Sequence, residues 1–340
     1  MSVNGTGRAA IARANFRWLA FTTVAATYAL IVLGGVVRAT DSGDACPDWP
    51  RCKGELIPPL EYHVLIEFSH RLFATIVGLL VLAVVIFAWR TQRHRTVVVW
   101  AATAALVLLI AQVGLGGATV LSELPANLVM VHLAVATVLL AALLVVAIAS
   151  LDIEPSRQRD LRERATVFRN QALAGALAVF ALMLSGSYVS GSGASLAFPD
   201  WPLFDGQLMP EGGRLAMIHA AHRFAAVVVG LLLLHVAGRA WRKERWHRGL
   251  AFGMVAAVVL YIAQVFAGAA NVWTLIQPSA AATHLALAIA VWATLVSVTL
   301  FAHRAAVRLP QRGLVYTGEL EIAPAQPERA TEAASGGGPS

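Results

Sequence analysis

Glu67-Phe68-Ser69-His70-Arg71 opens an apolar run that reaches Ala88, and Ile218-His219-Ala220-Ala221-His222-Arg223 opens another. The offset that carries His70 to His222 also carries His132 to His284, Gln112 to Gln264 and Gly78 to Gly230. It lays Pro47-Asp48-Trp49-Pro50 on Pro199-Asp200-Trp201-Pro202, and Phe16-Arg17 on Phe168-Arg169. A duplication that keeps register from residue 16 to about residue 290 implies two equivalent halves.

Around those histidines the chain is 58% apolar and only 13% charged. Apolar runs fall near 17–38, 64–89, 97–118, 128–150, 171–190, 217–238, 249–270 and 280–302. Each is long enough to cross a hydrocarbon core, which takes roughly 20 residues. The reading is an all-α integral membrane protein with eight transmembrane helices. Run 17–38 is read as a retained helix, not a cleaved signal, because it pairs with 169–190 in the repeat. Most of the 26 Lys and Arg lie on one side of this plan. They sit before the first run (Arg8, Arg13, Arg17) and after the second (Arg90, Arg93, Arg95). They recur from Arg157 to Arg169, from Arg239 to Arg248, and in the tail from Arg304. That bias puts both termini in the cytoplasm. The net charge of +7 reflects it and gives no support for a nucleic-acid partner. With an even number of helices per half, the halves are parallel repeats forming two four-helix bundles. The chain therefore divides into a cytoplasmic arm (1–15), a first half (16–150), a cytoplasmic linker (151–167), a second half (168–304) and a tail (305–340). The tail is polar and rich in Pro, Gly, Ala and Glu, the composition of a disordered segment.

The two long outer loops carry Asp, Trp and Pro and read as lids. Cys46 and Cys52, the two cysteines of the chain, sit in the first loop on the oxidising side. They read as a short disulfide, with free thiols or a redox-active pair as alternatives. Their repeat partners are Phe198 and Phe204. His70, His132, His222 and His284 all lie near the outer end of an even-numbered helix, so each half can face one against another. Polar groups at that depth are costly and mark function, and facing imidazoles suit axial ligation of haem iron. Zinc would need more ligands converging nearby. Small residues follow each histidine along its helix (Ala74 and Gly78, Ala136, Ala226 and Gly230, Ala288), leaving room for something flat. Gln112 to Gly117 and Gln264 to Ala269 read as close helix contacts. His63, His94, His235, His247 and His303 are not expected to be ligands. Arg71 and Arg223 follow the matched histidines, to snorkel outward or to pair with haem propionates. Glu67 breaks the symmetry, since its partner is His219. A carboxylate one turn from a ligand can serve as a general acid or base, or as a lid contact favoured by the helix dipole.

The Gly34-Gly35-x-x-Arg38-x-Thr40-x-Ser42-Gly43 run, both Pro-Asp-Trp-Pro loops, Glu67-x-x-His70-Arg71 and the repeated eight-helix plan together resemble the haem A synthase family over residues 16–304. The resemblance implies oxidation of a ring methyl of haem O to a formyl group, by successive hydroxylations, giving haem A for cytochrome oxidase. It implies a substrate haem in the first half (His70, His132, with Glu67 catalytic) and a haem b cofactor in the second (His222, His284). Cys46 and Cys52 match the pair of the Gram-positive-like members; the second pair of some members is absent. Implied partners are haem O, an unidentified electron donor, haem O synthase as a candidate, and the lipid bilayer of a bacterial cell membrane. The rival readings are a di-haem b electron-transfer protein working on quinol or thiols, and a transporter relaying protons through its histidines.

Overall fold

No proline falls inside any apolar run; among the described residues the prolines lie in loops or at helix starts, as at Pro125 and Pro278. Long uninterrupted helices follow. A computed structural model describes residues 3–55, 58–152, 159–243 and 248–306. In chain order the helices are α1 Val3–Ala39, α2 Tyr62–Thr91, α3 Thr96–Leu121, α4 Ala126–Ala149, α5 Arg159–Gly191, α6 Arg214–Lys243, α7 Arg248–Trp273 and α8 Pro278–Ala306. All eight are long and apolar enough to span a membrane.

Two of them start earlier than their apolar runs. α1 reaches back to Val3 through the expected arm, and α5 to Arg159 inside the expected linker. Alanine and arginine are strong helix formers, so the helix continues where hydrophobicity stops. The linker residues 153–158 and the tail from 307, where disorder is expected, lie outside the described residues.

α1 packs on α2 and α4, and α3 on α2 and α4; α5 packs on α6 and α8, and α7 on α6 and α8. α1 also meets α8, α4 meets α5, and α4 meets α8. The largest apolar cluster runs across that seam, from Ile31, Leu140 and Leu144 to Phe168, Met254, Ile289 and Leu295. Leu72, Leu79, Leu231 and Leu234 point outward and are exposed, as lipid-facing side chains are.

The carboxyl end of α4 is tied down from three directions. Arg17 Nε donates to the Ser150 carbonyl at 3.1 Å and an Arg95 terminal N–H to the same carbonyl at 2.6 Å. From α8, Arg304 donates to the carbonyls of Ala149 at 3.2 Å and Leu151 at 2.9 Å. Cations on open carbonyls at a helix C-terminus are favoured twice over, by hydrogen bonding and by the dipole. Asp152 receives hydrogen bonds from Arg95 and Arg17, which hold its carboxyl below the usual range.

Candidate functional site

The two outer loops share one local structure. Asp48 accepts the backbone N–H groups of Lys53 (2.5 Å) and Gly54 (2.8 Å); Asp200 accepts those of Asp205 and Gly206, both at 2.8 Å. The glycine N–H first, then its neighbour, lowers each carboxyl below the ordinary aspartate value. Cys52 bridges to Glu55 as Phe204 does to Gln207, and Trp49-Pro50 and Trp201-Pro202 are both cis.

An arginine from the helix below grips each loop. Arg71 donates from one terminal nitrogen to the carbonyls of Asp48 (2.7 Å) and Arg51 (2.6 Å), and from the other to Cys46 O (2.6 Å) and Glu67 Oε1 (2.5 Å). Arg223 reaches the equivalent carbonyls, Asp200 at 2.9 Å and Leu203 at 2.7 Å. The first loop is closed by the Cys46–Cys52 disulfide. In the second, Phe198 and Phe204 meet edge to face at 4.9 Å, and the Arg223 guanidinium lies 5.5 and 5.3 Å from their ring centres. An edge-to-face ring pair with a cation beside it occupies the place of a covalent bridge.

Glu67 is 3% exposed, with Oε2 accepting the Cys46 N–H at 2.7 Å while Oε1 holds Arg71. Its counterpart His219 accepts at Nε2 from Arg223 Nε–H, 3.2 Å away. That contact leaves its ring proton on Nδ1. The first half thus has a neutralised ion pair beneath its loop, and the second half a cation without one.

All four matched histidines are half-buried and each rests against a glycine of the preceding helix. A Cβ at Gly34 would stand 3.1 Å from His70 Cε1, at Gly116 3.3 Å from His132, at Gly186 3.1 Å from His222, and at Gly268 2.9 Å from His284. The Nδ1 atoms of His70 and His132 are buried with no hydrogen-bond partner in the protein. The Gln112 side-chain amide meets His132 Nε2 at 3.0 Å; Gln264 meets His284 Nε2 at 3.3 Å, and His284 Nδ1 lies 3.1 Å from the Gln264 carbonyl. His222 Nδ1 lies 2.7 Å from Ser185 Oγ. Imidazoles seated on bare backbone, two of them with an unmatched ring nitrogen, form a donor set that suits haem iron. Among the described residues no three of His, Cys, Asp and Glu converge as a metal-ion cluster.

Gly116 and Gly268, expected as helix contacts, are histidine seats, and Gly34 and Gly186, for which the sequence suggests no such role, are the other two. The available signal was the offset, which carries each glycine onto its partner. One expectation is corrected. The Ala226–Gly230 face does not leave room for a flat group: the Tyr261 ring fills it, 3.1 Å from a Cβ at Gly230, with its hydroxyl donating to Ala226 O at 2.6 Å. In the first half Leu109 faces Gly78 at 3.9 Å. Gly78 and Gly230 thus meet the next helix, α3 or α7. His63 and His303 bond elsewhere, to Ser42 and Arg169, and His247 lies outside the described residues.

The family profile described as cytochrome oxidase assembly protein, COX15-CtaA, matches residues 17–65 and 59–296. A protein named heme A synthase from Symbiobacterium thermophilum is 30% identical over 70% of this chain and 79% of its own length. One of the same name from Lysinibacillus sphaericus is 29% identical over 79% of this chain and 90% of its length. Another, from Listeria monocytogenes, is 28% identical over 84% and 95% respectively.

Proposed function

This chain belongs to the COX15-CtaA family of cytochrome oxidase assembly proteins, and from that premise we propose how its two histidine pairs divide the work of a haem A synthase. The protein is an oxidoreductase that converts haem O to haem A. The observation that carries the site reading is the set of four histidines, each seated on a glycine of the neighbouring helix.

In this reading His70 and His132 hold the substrate haem, placing a ring methyl under the first loop. His222 and His284 hold haem b, which when bound supplies one-electron redox chemistry. The disulfide-closed loop, clamped by Arg71, excludes water from the substrate side. Glu67 moves a proton at its carboxylate as the methyl group is oxidised to formyl; it already borders the site, one turn from His70. Propionates fit Arg223 better than Arg71. Arg71 directs both terminal nitrogens at protein acceptors twice over. Arg223 makes one such bond from each terminal nitrogen, and among the described residues no carboxylate pairs with it directly as Glu67 does with Arg71.

The halves are parallel repeats about a two-fold axis along the membrane normal, with residues 16–150 and 168–304 as the units. Support comes from the seam: the offset exchanges the α1–α8 and α5–α4 contacts and maps α4–α8 onto itself. Both termini are placed in the cytoplasm on the distribution of arginine, in a bacterial cell membrane. The remaining partners are an oxidant that takes up the four electrons of the methyl-to-formyl conversion, a source of the formyl oxygen, an electron donor, and haem O synthase as the source of substrate.

Co-expression with a haem O supply, followed by extraction of the haems, tests the assignment. Haem A should appear with the intact chain and vanish with His70→Ala. Extracts holding only haem O and haem b with the intact chain would overturn it and favour a di-haem electron carrier.

A further inference from the structure

Two adjacent glycines of α1 lie between the two histidine centres. Gly34 faces His70, with a Cβ there 3.1 Å from the ring. Gly35 faces the opposite way, across the seam, where a Cβ would stand 2.5 Å from Leu285 Cδ2. Leu285 directly follows His284 on α8. About two turns back along α1, Tyr28 donates its hydroxyl to the Ala286 carbonyl at 3.0 Å. One helix of the first half therefore seats His70 on one side and grips residues 285–286, next to His284, on the other. The offset puts Ser187 at the Gly35 position and Phe180 at the Tyr28 position, so the second seam lacks this grip. Its close approach comes further out, at Gly191 against Ala126.

We propose that Gly35 and Tyr28 are positioning residues that couple the two haem centres, so that filling the His70 site alters the His284 site. The proposal rests on the assignment of His70 and His284 as haem ligands. Its physical basis is packing. A group entering beside His70 bears on Gly34, and α1 cannot give way without sliding against Leu285 or straining the Tyr28 bond. Well-packed contacts pass such displacements on because they do not compress. The coupling is reciprocal: whatever haem O does to the cofactor site, the cofactor does to haem O affinity.

The test uses the full-length protein purified with its cofactor haem. Electron paramagnetic resonance of that haem is followed while haem O is added, and haem O affinity is read from the same titration. In the unmodified protein, haem O should shift the cofactor g-values. Gly35→Ala should keep the cofactor, alter its signal before any addition, weaken haem O binding about ten-fold and abolish the response. Tyr28→Phe, which removes one hydrogen bond and no packing, should do the same in smaller measure. Adding Leu285→Ala to Gly35→Ala removes the clash and should restore the response, as expected of directly contacting residues. Gly114→Ala, at a position with nothing within 4 Å, should behave as unmodified protein. An unmodified protein whose cofactor signal ignores haem O overturns the coupling, as does a Gly35→Ala protein with unchanged signal and affinity. If Gly35→Ala does not fold, an unchanged Tyr28→Phe protein is decisive in the same direction. Failure of the ligand assignment looks different: His284→Ala would then leave the cofactor signal intact.

Discussion

Arg71 and Glu67 are one unit, and each substitution has to be read through the other. Their side chains are 15% and 4% exposed, so removing one charge strands its partner in a poorly solvated place, at a cost of roughly 3–5 kcal/mol. Glu67→Gln keeps an acceptor for the Cys46 N–H but cannot exchange a proton. We expect haem A formation to fall about 10²–10⁴-fold, the usual range of general acid–base catalysis, with haem b retained at His222 and His284. Product and haem content are measured in one preparation, alongside hydrogen exchange of the first loop. Lost product with a protected loop marks a catalytic carboxylate; an exchanging loop marks a clamp. Arg71→Lys should free the loop, since one ammonium cannot reproduce a planar fork that reaches four acceptors. That loss was not legible beforehand. Arginine after a histidine at a helix end reads as snorkelling outward or as a propionate partner, and only the folded loop shows that carbonyls 46, 48 and 51 point at it.

At the scale of elements, the two loops invite a direct contrast. Reductant should open the first, with faster exchange at residues 46–55, and leave the second unchanged, because Phe198, Phe204 and Arg223 contain nothing reducible. Phe204→Ala should reverse the pattern, loosening the second loop by a few kcal/mol, the usual cost of deleting a buried phenylalanine. Equal response of both loops to reductant would sink the comparison. The end of α4 makes a smaller prediction. The Asp152 carboxyl lies below its ordinary value, so its ion pairs stabilise the fold above the unfolded-state value and are lost as pH falls through the folded one. Asp152→Asn should remove that acid sensitivity below about pH 4. It should cost at most about 1 kcal/mol at neutral pH because the carboxylate is 61% exposed. Thermal unfolding against pH reads both. The eight helices were legible because apolar length is a one-dimensional signal. Their first turns were not, as at Val3 and Arg159, where helix propensity takes over from hydrophobicity. Nor was the filling of the Ala226–Gly230 face by Tyr261, which depends on the rotation of α6 against α7.

For the whole molecule, orientation is the claim most open to a direct check. Reporters at the C-terminus and in the α2–α3 connection (Gln92–Arg95) should report the cytoplasm, and one in the Asp48 loop the opposite side. A C-terminal reporter sharing the loop's side would overturn both the topology and the parallel pairing of the halves. The duplication is a property of the sequence itself, in an offset that holds over many positions; the seam was not legible, because one substitution in a duplicated pair matters more there than the pattern. The offset places Asp152, at the end of α4, on Arg304, at the end of α8. In the parallel reading these are the same site in the two copies, and Arg304 is the residue that closes the α4 carbonyls from across the seam. The carbonyls that end α4 are thus closed from across the seam by a base, at the position where the offset puts an acid in the first half.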